Sequence, residues 1–107
     1  MDNLTKQLQI ERDTSFLYDS IAKIQTDESM KRVLTSLSEI EKRHAEGILA
    51  KIRTTNPDMQ MPEPSRRART QLFLGKFFGY DSIISGLSNV EKNVARSSVM
   101  NKKKEGK

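Results

Sequence analysis

The chain has a single histidine, His44, which follows Glu41 by three residues in a segment with helical apolar spacing. Residues i and i+3 share one face of an α-helix, so both side chains can reach one ligand. Apolar residues extend the same stripe on either side of the pair, at Leu34, Leu37, Ile48 and Ile52. Burying a carboxylate there without a counter-charge costs several kcal/mol. The pattern therefore predicts a metal-binding pair, and the alternative is a histidine that only pairs with a glutamate.

A second glutamate, Glu11, interrupts the apolar stripe of the first predicted helix, which extends from Asp2 to about Gln25. The stripe itself consists of Leu4, Leu8, Ser15, Tyr18 and Ala22. A wider apolar face is expected from Ile10, Phe16, Leu17, Ile21 and Ile24. Five charged residues are expected to face solvent, namely Lys6, Arg12, Asp13, Asp19 and Lys23. Tyr18 shares the face of Glu11, so its hydroxyl can hydrogen-bond a ligand carboxylate or simply pack in the core.

A short polar segment centred on Asp27 joins this helix to the second, which is predicted to end near Thr54. A connection of this length requires an antiparallel hairpin. Glu11 lies 16 residues before Asp27, and Glu41 and His44 lie 14 and 17 residues after it. At about 1.5 Å per residue, the three side chains reach the same level of the hairpin.

The remaining chain is predicted to form a linker, two further helices and a tail. The predicted segments are the hairpin at 1–54, a proline-rich linker at 55–64, C-terminal helices at 65–100 and a basic disordered tail at 101–107. Ser65 can cap a short helix that has arginines and Lys76 on one side and phenylalanines and leucines on the other. This helix is expected to pack on its own bundle, and the alternative is a membrane surface. The last helix, from Ser82 to about Met100, carries Glu91 in its apolar stripe.

Composition limits the classes of function. The chain has no cysteine, so any metal must be held by oxygen and imidazole. A hydrophobic content of 35% favours an amphipathic assembly that completes its core by oligomerising. The net charge of +5 arises in residues 92–107, since residues 1–91 have equal numbers of basic and acidic residues, and nucleic acid is not an expected partner. No long apolar segment or signal peptide is visible, so the expected location is cytoplasmic, including the cytosolic face of a membrane.

The ligand order resembles that of the di-iron carboxylate bundles of the ferritin-like superfamily. More narrowly, residues 5–95 resemble the rubrerythrin-type domain that precedes the membrane part of vacuolar-iron-transporter-like proteins, also called erythrin or membrane-bound ferritin. The resemblance is carried by Glu11 with Tyr18, by Leu37-Ser38-Glu39-Ile40-Glu41-Lys42-Arg43-His44-Ala45, by Arg66-Arg67-Ala68-Arg69 with Lys76-Phe77-Phe78-Gly79, and by Glu91. The motif on the second helix is the most specific of these, and Glu91 is the least.

The resemblance implies an all-α, ferritin-like four-helix bundle that holds iron, with manganese or zinc as substitutes. It assigns Glu11 as a terminal ligand, Glu41 as a bridging carboxylate, His44 as the imidazole ligand and Glu91 as a further ligand. Such domains carry a second Glu-x-x-His, whereas this chain has no other histidine. Either the domain is truncated before its membrane iron-transporter part, or a C2 homodimer supplies the ligands in duplicate. The dimer is favoured because half a bundle would expose an apolar stripe.

The expected function is therefore iron binding at a di-iron site shared between subunits, with ferroxidase-type oxidation of Fe(II) by oxygen or peroxide. Without a cysteine-bound electron-transfer centre, a self-contained peroxide reductase is disfavoured. Two alternatives stay open. The first is a non-catalytic iron-sensing or delivery domain of a membrane iron transporter, and the second is a metal-free helical dimerisation module with a basic tail.

Overall fold

The computed structural model describes residues 3–81 and 83–87. Within these ranges the chain is all-α, as predicted, with no strand. The three helices are α1 (Asn3–Lys23), α2 (Glu28–Arg53) and α3 (Arg66–Phe78). Residues 83–87 are also helical, at the start of the predicted last helix. Glu91, the rest of that predicted helix and the basic tail lie outside the described residues.

Helices α1 and α2 form the antiparallel hairpin. Asp27 is the N-cap of α2, where its carboxylate accepts a hydrogen bond from the backbone N of Met30 at 3.2 Å. Such a cap contributes about 1 kcal/mol to helix stability. Glu28 in the first turn and Lys51 and Arg53 in the last turn complement the helix dipole. The local sequence therefore fixes where α2 begins, and the short turn places α2 back along α1.

The hairpin core has two apolar clusters. The end cluster lies near the open end of the hairpin and consists of Leu8, Ala45, Leu49 and Ile52. The turn cluster lies near the connection and consists of Tyr18, Ile21, Ala22 and Leu34. The predicted stripe of α1 is thus buried, but Ile10 and Ile24 are 56% and 50% exposed rather than part of the core. They lie outside the α1–α2 contact, because each helix of a hairpin can bury only one broad face against its partner.

The proline-rich linker follows the hairpin back along α1. Asp13 accepts hydrogen bonds from the backbone N and the hydroxyl of Ser65, at 2.8 and 2.6 Å. The Arg12 Nε donates to the backbone oxygen of Pro62 at 3.1 Å, and Met61 packs against the end cluster. The prediction that Arg12 and Asp13 only face solvent is therefore wrong. A chain segment without helix or sheet needs other partners for its backbone groups, and these two side chains supply them.

Helix α3 packs on α1, and its buried positions are small residues. Ser65 is its N-cap, as the sequence suggested, and accepts from the backbone N of Ala68 at 3.2 Å. Ala68 and Gly75 are the buried residues of the helix, and Leu72 between them packs against the turn cluster. The larger apolar residues are exposed: Phe73, Leu74, Phe77 and Phe78. The helix therefore packs on its own bundle, as expected, through the side that carries Ala68 and Leu72, whereas these four large side chains stay largely exposed.

None of the helices in the described part of the chain combines the length and apolar character needed to cross a bilayer.

Candidate metal centre

Glu11, Glu41 and His44 come together between the two apolar clusters. One ligand atom from each residue lies within 4.8 Å of the other two. The Nδ1 atom of His44 is 3.7 Å from a carboxylate oxygen of Glu11 and 3.7 Å from one of Glu41. Each distance exceeds that of a direct hydrogen bond. The prediction that these three residues reach the same level of the hairpin is therefore confirmed by the geometry.

The helices approach closely at the level of the site because small residues lie there. Ser15 and Ser38 are almost fully buried, one on each helix. The Ser38 hydroxyl donates to the backbone oxygen of Ser15 at 3.0 Å, which ties α2 to α1. Ser38 precedes Glu41 by one helical turn, and Ser15 follows Glu11 by one turn. This serine contact fixes the relative position of the two carboxylates. Apolar spacing alone did not single out Ser38, because serine is not an apolar residue.

The three side chains differ greatly in their exposure. The side chain of Glu41 is 9% exposed, that of Glu11 is 25% exposed and that of His44 is 56% exposed. The spacing had placed His44 within the core stripe. In the structure it lies at the edge of that stripe. The buried face of α2 is instead centred on Ser38, Glu41 and Ala45. The face is rotated because small side chains allow the closest helix contact, and this moves His44 toward solvent.

Basic residues beside the two glutamates are engaged elsewhere. Arg12 follows Glu11 in sequence but donates its Nε to the linker at Pro62. Lys42 follows Glu41, and its Nζ lies 3.5 Å from a carboxylate oxygen of Glu39. Because Glu41 is almost fully buried, its charge needs compensation. The imidazole of His44 at 3.7 Å is a weak partner for it, and a bound cation would be a strong one.

The donor set fits a divalent transition metal. Carboxylate and imidazole ligands bind such ions at about 2.0–2.2 Å, so neighbouring donor atoms lie about 3.0–3.4 Å apart around the ion. The two 3.7 Å separations are close to this value, and small side-chain movements would close them. Two carboxylates and one neutral imidazole carry a net charge of −2, which a divalent cation balances. Three protein ligands also leave coordination positions open for another ligand.

Two further residues were predicted to belong to the site. Tyr18 is fully buried in the turn cluster, packed among Ile21, Ala22 and Leu34. This burial accounts for the residue as part of the core, and a role beside a ligand carboxylate stays a prediction. Glu91 lies outside the described residues, so its assignment as a ligand also stays a prediction.

One side of the site is covered and the other is open. Successive residues are about 100° apart on a helix, so Ile10 and Arg12 flank Glu11 on opposite sides, and Ile40 and Lys42 flank Glu41 in the same way. Arg12 and Lys42 line one shallow cleft with Met61 of the linker. Ile10 and Ile40 therefore lie on the other side of the hairpin, which we call the open edge.

The open edge carries apolar residues together with the histidine. Ile40 and His44 are four residues apart, and Val33 precedes Ile40 by seven, so the three share one edge of α2. All three apolar side chains of the open edge are substantially exposed: Ile10, Val33 and Ile40. A row of exposed branched aliphatic residues beside a histidine on one helix edge is a candidate surface for contact with another protein.

Comparison with known proteins adds no assignment. No protein-family model matches the chain, and neither the curated proteins nor the solved structures include a match.

Proposed function

We propose that the chain binds iron through Glu11, Glu41 and His44, and that two copies of the chain join their sites into one di-iron centre of a ferritin-like bundle. The observation that carries the proposal is the convergence of three donor atoms within 4.8 Å from two different helices. Carboxylates and imidazole suit Fe(II), with manganese or zinc as substitutes. The buried charge of Glu41 supports the proposal further, because a buried carboxylate without a cation destabilises the folded state.

The proposal of a shared centre is based on the open edge. One chain supplies two carboxylates and one imidazole, whereas a di-iron bundle uses four carboxylates and two imidazoles. A twofold axis beside His44 would double the set. It would also cover Ile10, Val33 and Ile40, which are exposed around the site. The same contact would thus complete both the ligand set and the core.

Iron held at such a centre would supply a one-electron redox couple per ion, which is the basis of ferroxidase-type oxidation by oxygen or peroxide. The protein residues have separate tasks. Glu41 and Glu11 would hold the cation, and their negative charge favours the ferric over the ferrous state. Ser38 would keep the two carboxylates in register through its bond to Ser15. His44, at the open edge, would provide the ligand closest to the twofold axis.

The test is anaerobic loading with Fe(II), followed by measurement of iron per chain and of the mass in solution. We expect about one iron per chain in a dimer. Glu41→Gln keeps the side-chain volume but removes the charge, and should lower iron affinity at least about tenfold, the usual scale of losing a ligand contact. Glu46→Gln is the matched control, because Glu46 is an exposed glutamate of the same helix. A dimer that binds no iron would favour the metal-free dimerisation module instead.

Metal-free protein gives a second readout. Glu41→Gln should unfold at the same temperature as the wild type or at a higher one, since it removes a buried charge that lacks a strong partner. Added Fe(II) should raise the unfolding temperature of the wild type by more than that of the variant, because the variant binds the ion more weakly. Oxygen consumption after addition of Fe(II) then separates oxidation from delivery. Tight binding without oxygen uptake would identify the non-catalytic iron-sensing or delivery role.

A further inference from the structure

Helix α3 presents an exposed aromatic patch at its C-terminal end. Phe73, Leu74, Phe77 and Phe78 form the patch, and the two most exposed are Phe77 at 70% and Phe78 at 82%. Phe73 and Phe77 are one turn apart, and their rings meet edge to face at a centroid distance of 5.3 Å. Leu74 and Phe78 form a second row beside them. Leu74 and Phe78 lie beside Gly75 along a shallow cleft, and Phe73 and Phe77 lie on the side of α3 opposite Ala68.

A tight turn holds this patch at the end of the helix. Gly79 is the C-cap and has φ of 88°, a conformation that residues with a side chain rarely adopt. Tyr80 then folds back over Gly75, where an added Cβ would lie 2.6 Å from the tyrosine ring carbons. The chain thus leaves α3 on its inner side. Phe77 and Phe78, directly before this turn, are the two most exposed residues of the patch.

Basic residues border the aromatic patch and do not lie on the opposite side of the helix, as the sequence had suggested. Arg66 and Arg67 precede Phe73 and Leu74 by seven residues and so share their rows. Helix α3 has four of them, Arg66, Arg67, Arg69 and Lys76, all exposed, and it has no acidic residue. Arg69 lies 4.0 Å from Glu63, which is itself 84% exposed, so the pairing is weak. Three arginines in the first turn also oppose the helix dipole. Their arrangement does not stabilise α3 and is better explained by a negatively charged partner.

We propose that α3 docks on the surface of an anionic lipid bilayer, with the aromatic patch inserted at the level of the headgroups and the arginines and Lys76 bound to lipid phosphates. Aromatic and leucine side chains beside basic ones are the composition of interfacial helices. Long basic side chains at the flanks can reach the headgroups while the apolar stem stays buried. A second copy of the chain is a poorer occupant, because pairing two such helices would bring eight cations together.

This docking surface is separate from the metal centre, so the two proposals can fail independently. The test is co-sedimentation with phosphatidylcholine vesicles that contain phosphatidylserine, compared with phosphatidylcholine alone. We expect binding to the anionic vesicles that weakens with salt. Phe77→Ser combined with Phe78→Ser should reduce binding at least about tenfold, because burial of one phenylalanine corresponds to roughly that factor. The equivalent control is Ile24→Ser with Met30→Ser, two exposed apolar residues near the hairpin turn.

A charge variant tests the basic part of the surface. Arg66, Arg67 and Arg69 changed together to Gln should weaken binding by about fivefold per residue. Neutralising Lys6, Arg32 and Lys51, which are exposed on the hairpin, removes the same charge and should have a smaller effect. Far-ultraviolet circular dichroism shows whether each variant keeps its helices.

Three results would overturn the proposal. Unchanged binding by the phenylalanine variant would show that the basic tail alone attracts the vesicles. Equal binding to phosphatidylcholine alone would remove the role of the cations. A lower mass of the phenylalanine variant in solution, without vesicles, would show that a second copy covers the patch.

Discussion

Glu11 and Glu41 lie between two sides of the helical hairpin, and only one of these sides is covered by another part of the chain. Glu11 and Glu41 each stand between an isoleucine and a basic residue, in the triplets Ile10-Glu11-Arg12 and Ile40-Glu41-Lys42. On the basic side, the linker covers the hairpin, with Arg12 bound to Pro62 and Met61 packed against the end cluster. On the isoleucine side nothing within the described residues covers the open edge, and His44 lies there.

This difference bears on the proposal that a second chain completes the hairpin. On the covered side, the linker of the same chain accepts a hydrogen bond from Arg12 and packs Met61 against the end cluster. The open edge combines exposed isoleucines with a histidine that faces two carboxylates. A second chain on that side would explain both why the isoleucines are exposed and why the histidine is.

The largest effect should come from the core beneath the site. Leu8→Ala removes a fully buried side chain of the end cluster and should lower the free energy of unfolding by about 2–5 kcal/mol. Ile10→Ala, two residues away but 56% exposed, should cost less than about 1 kcal/mol in the monomer. Urea denaturation at several protein concentrations is the measurement. If the open edge is a dimer contact, the loss of unfolding free energy caused by Ile10→Ala should increase with protein concentration, whereas the loss caused by Leu8→Ala should not.

An intermediate effect is expected where the linker is attached. Asp13→Ala removes the acceptor of two hydrogen bonds from Ser65 and should cost about 1–2 kcal/mol. Hydrogen exchange should also become faster at the start of α3, because Ser65 is its N-cap. Asp19→Ala is the control, since Asp19 forms only a surface ion pair with Lys23. Equal losses in the two variants would contradict the assignment of Asp13 as the residue that holds the linker.

The smallest effect on folding, with the clearest effect on assembly, is expected at the open edge. Ile40→Ser should lower the stability of the monomer by about 1 kcal/mol, because the side chain is partly covered but lies outside both clusters. Sedimentation equilibrium should nevertheless show a shift toward monomer. Ile24→Ser, at the hairpin turn and 50% exposed, should leave the mass unchanged. A dimer unaffected by Ile40→Ser would place the second subunit on a different surface.

The hairpin and the candidate site were predictable because both follow from local spacing. The helices can pair in only one way. Their apolar periods define the buried faces, and the N-cap at Asp27 with the short turn makes them antiparallel. Counting residues from that turn then brings Glu11, Glu41 and His44 to one level, as the structure shows. A rigid rise per residue converts sequence distance into spatial distance, so this inference needs no tertiary information.

The linker contacts and the exposure of α3 could not be predicted in the same way. Arg12 and Asp13 are ordinary charged residues on a helix surface, and only the path of the linker gives them partners. The phenylalanines of α3 would be assigned to a core by their type. The buried side of α3 instead carries the small residues Ala68 and Gly75, and Tyr80 folds against Gly75. Which face of a short helix is buried depends on the neighbour it meets, because the gain from close packing competes with the gain from burying the larger side chains.

The sequence by itself determined the helices, their caps and the common level of two glutamates and one histidine, since these depend on local hydrogen bonding and on fixed helical geometry. Only the tertiary structure decided that Glu41 is buried while His44 is exposed. That outcome depends on the rotation of α2 about its axis, which the contact of Ser38 with Ser15 and the burial of Ala45 set. Helix rotation is a result of packing between whole faces, and no single residue spacing encodes it.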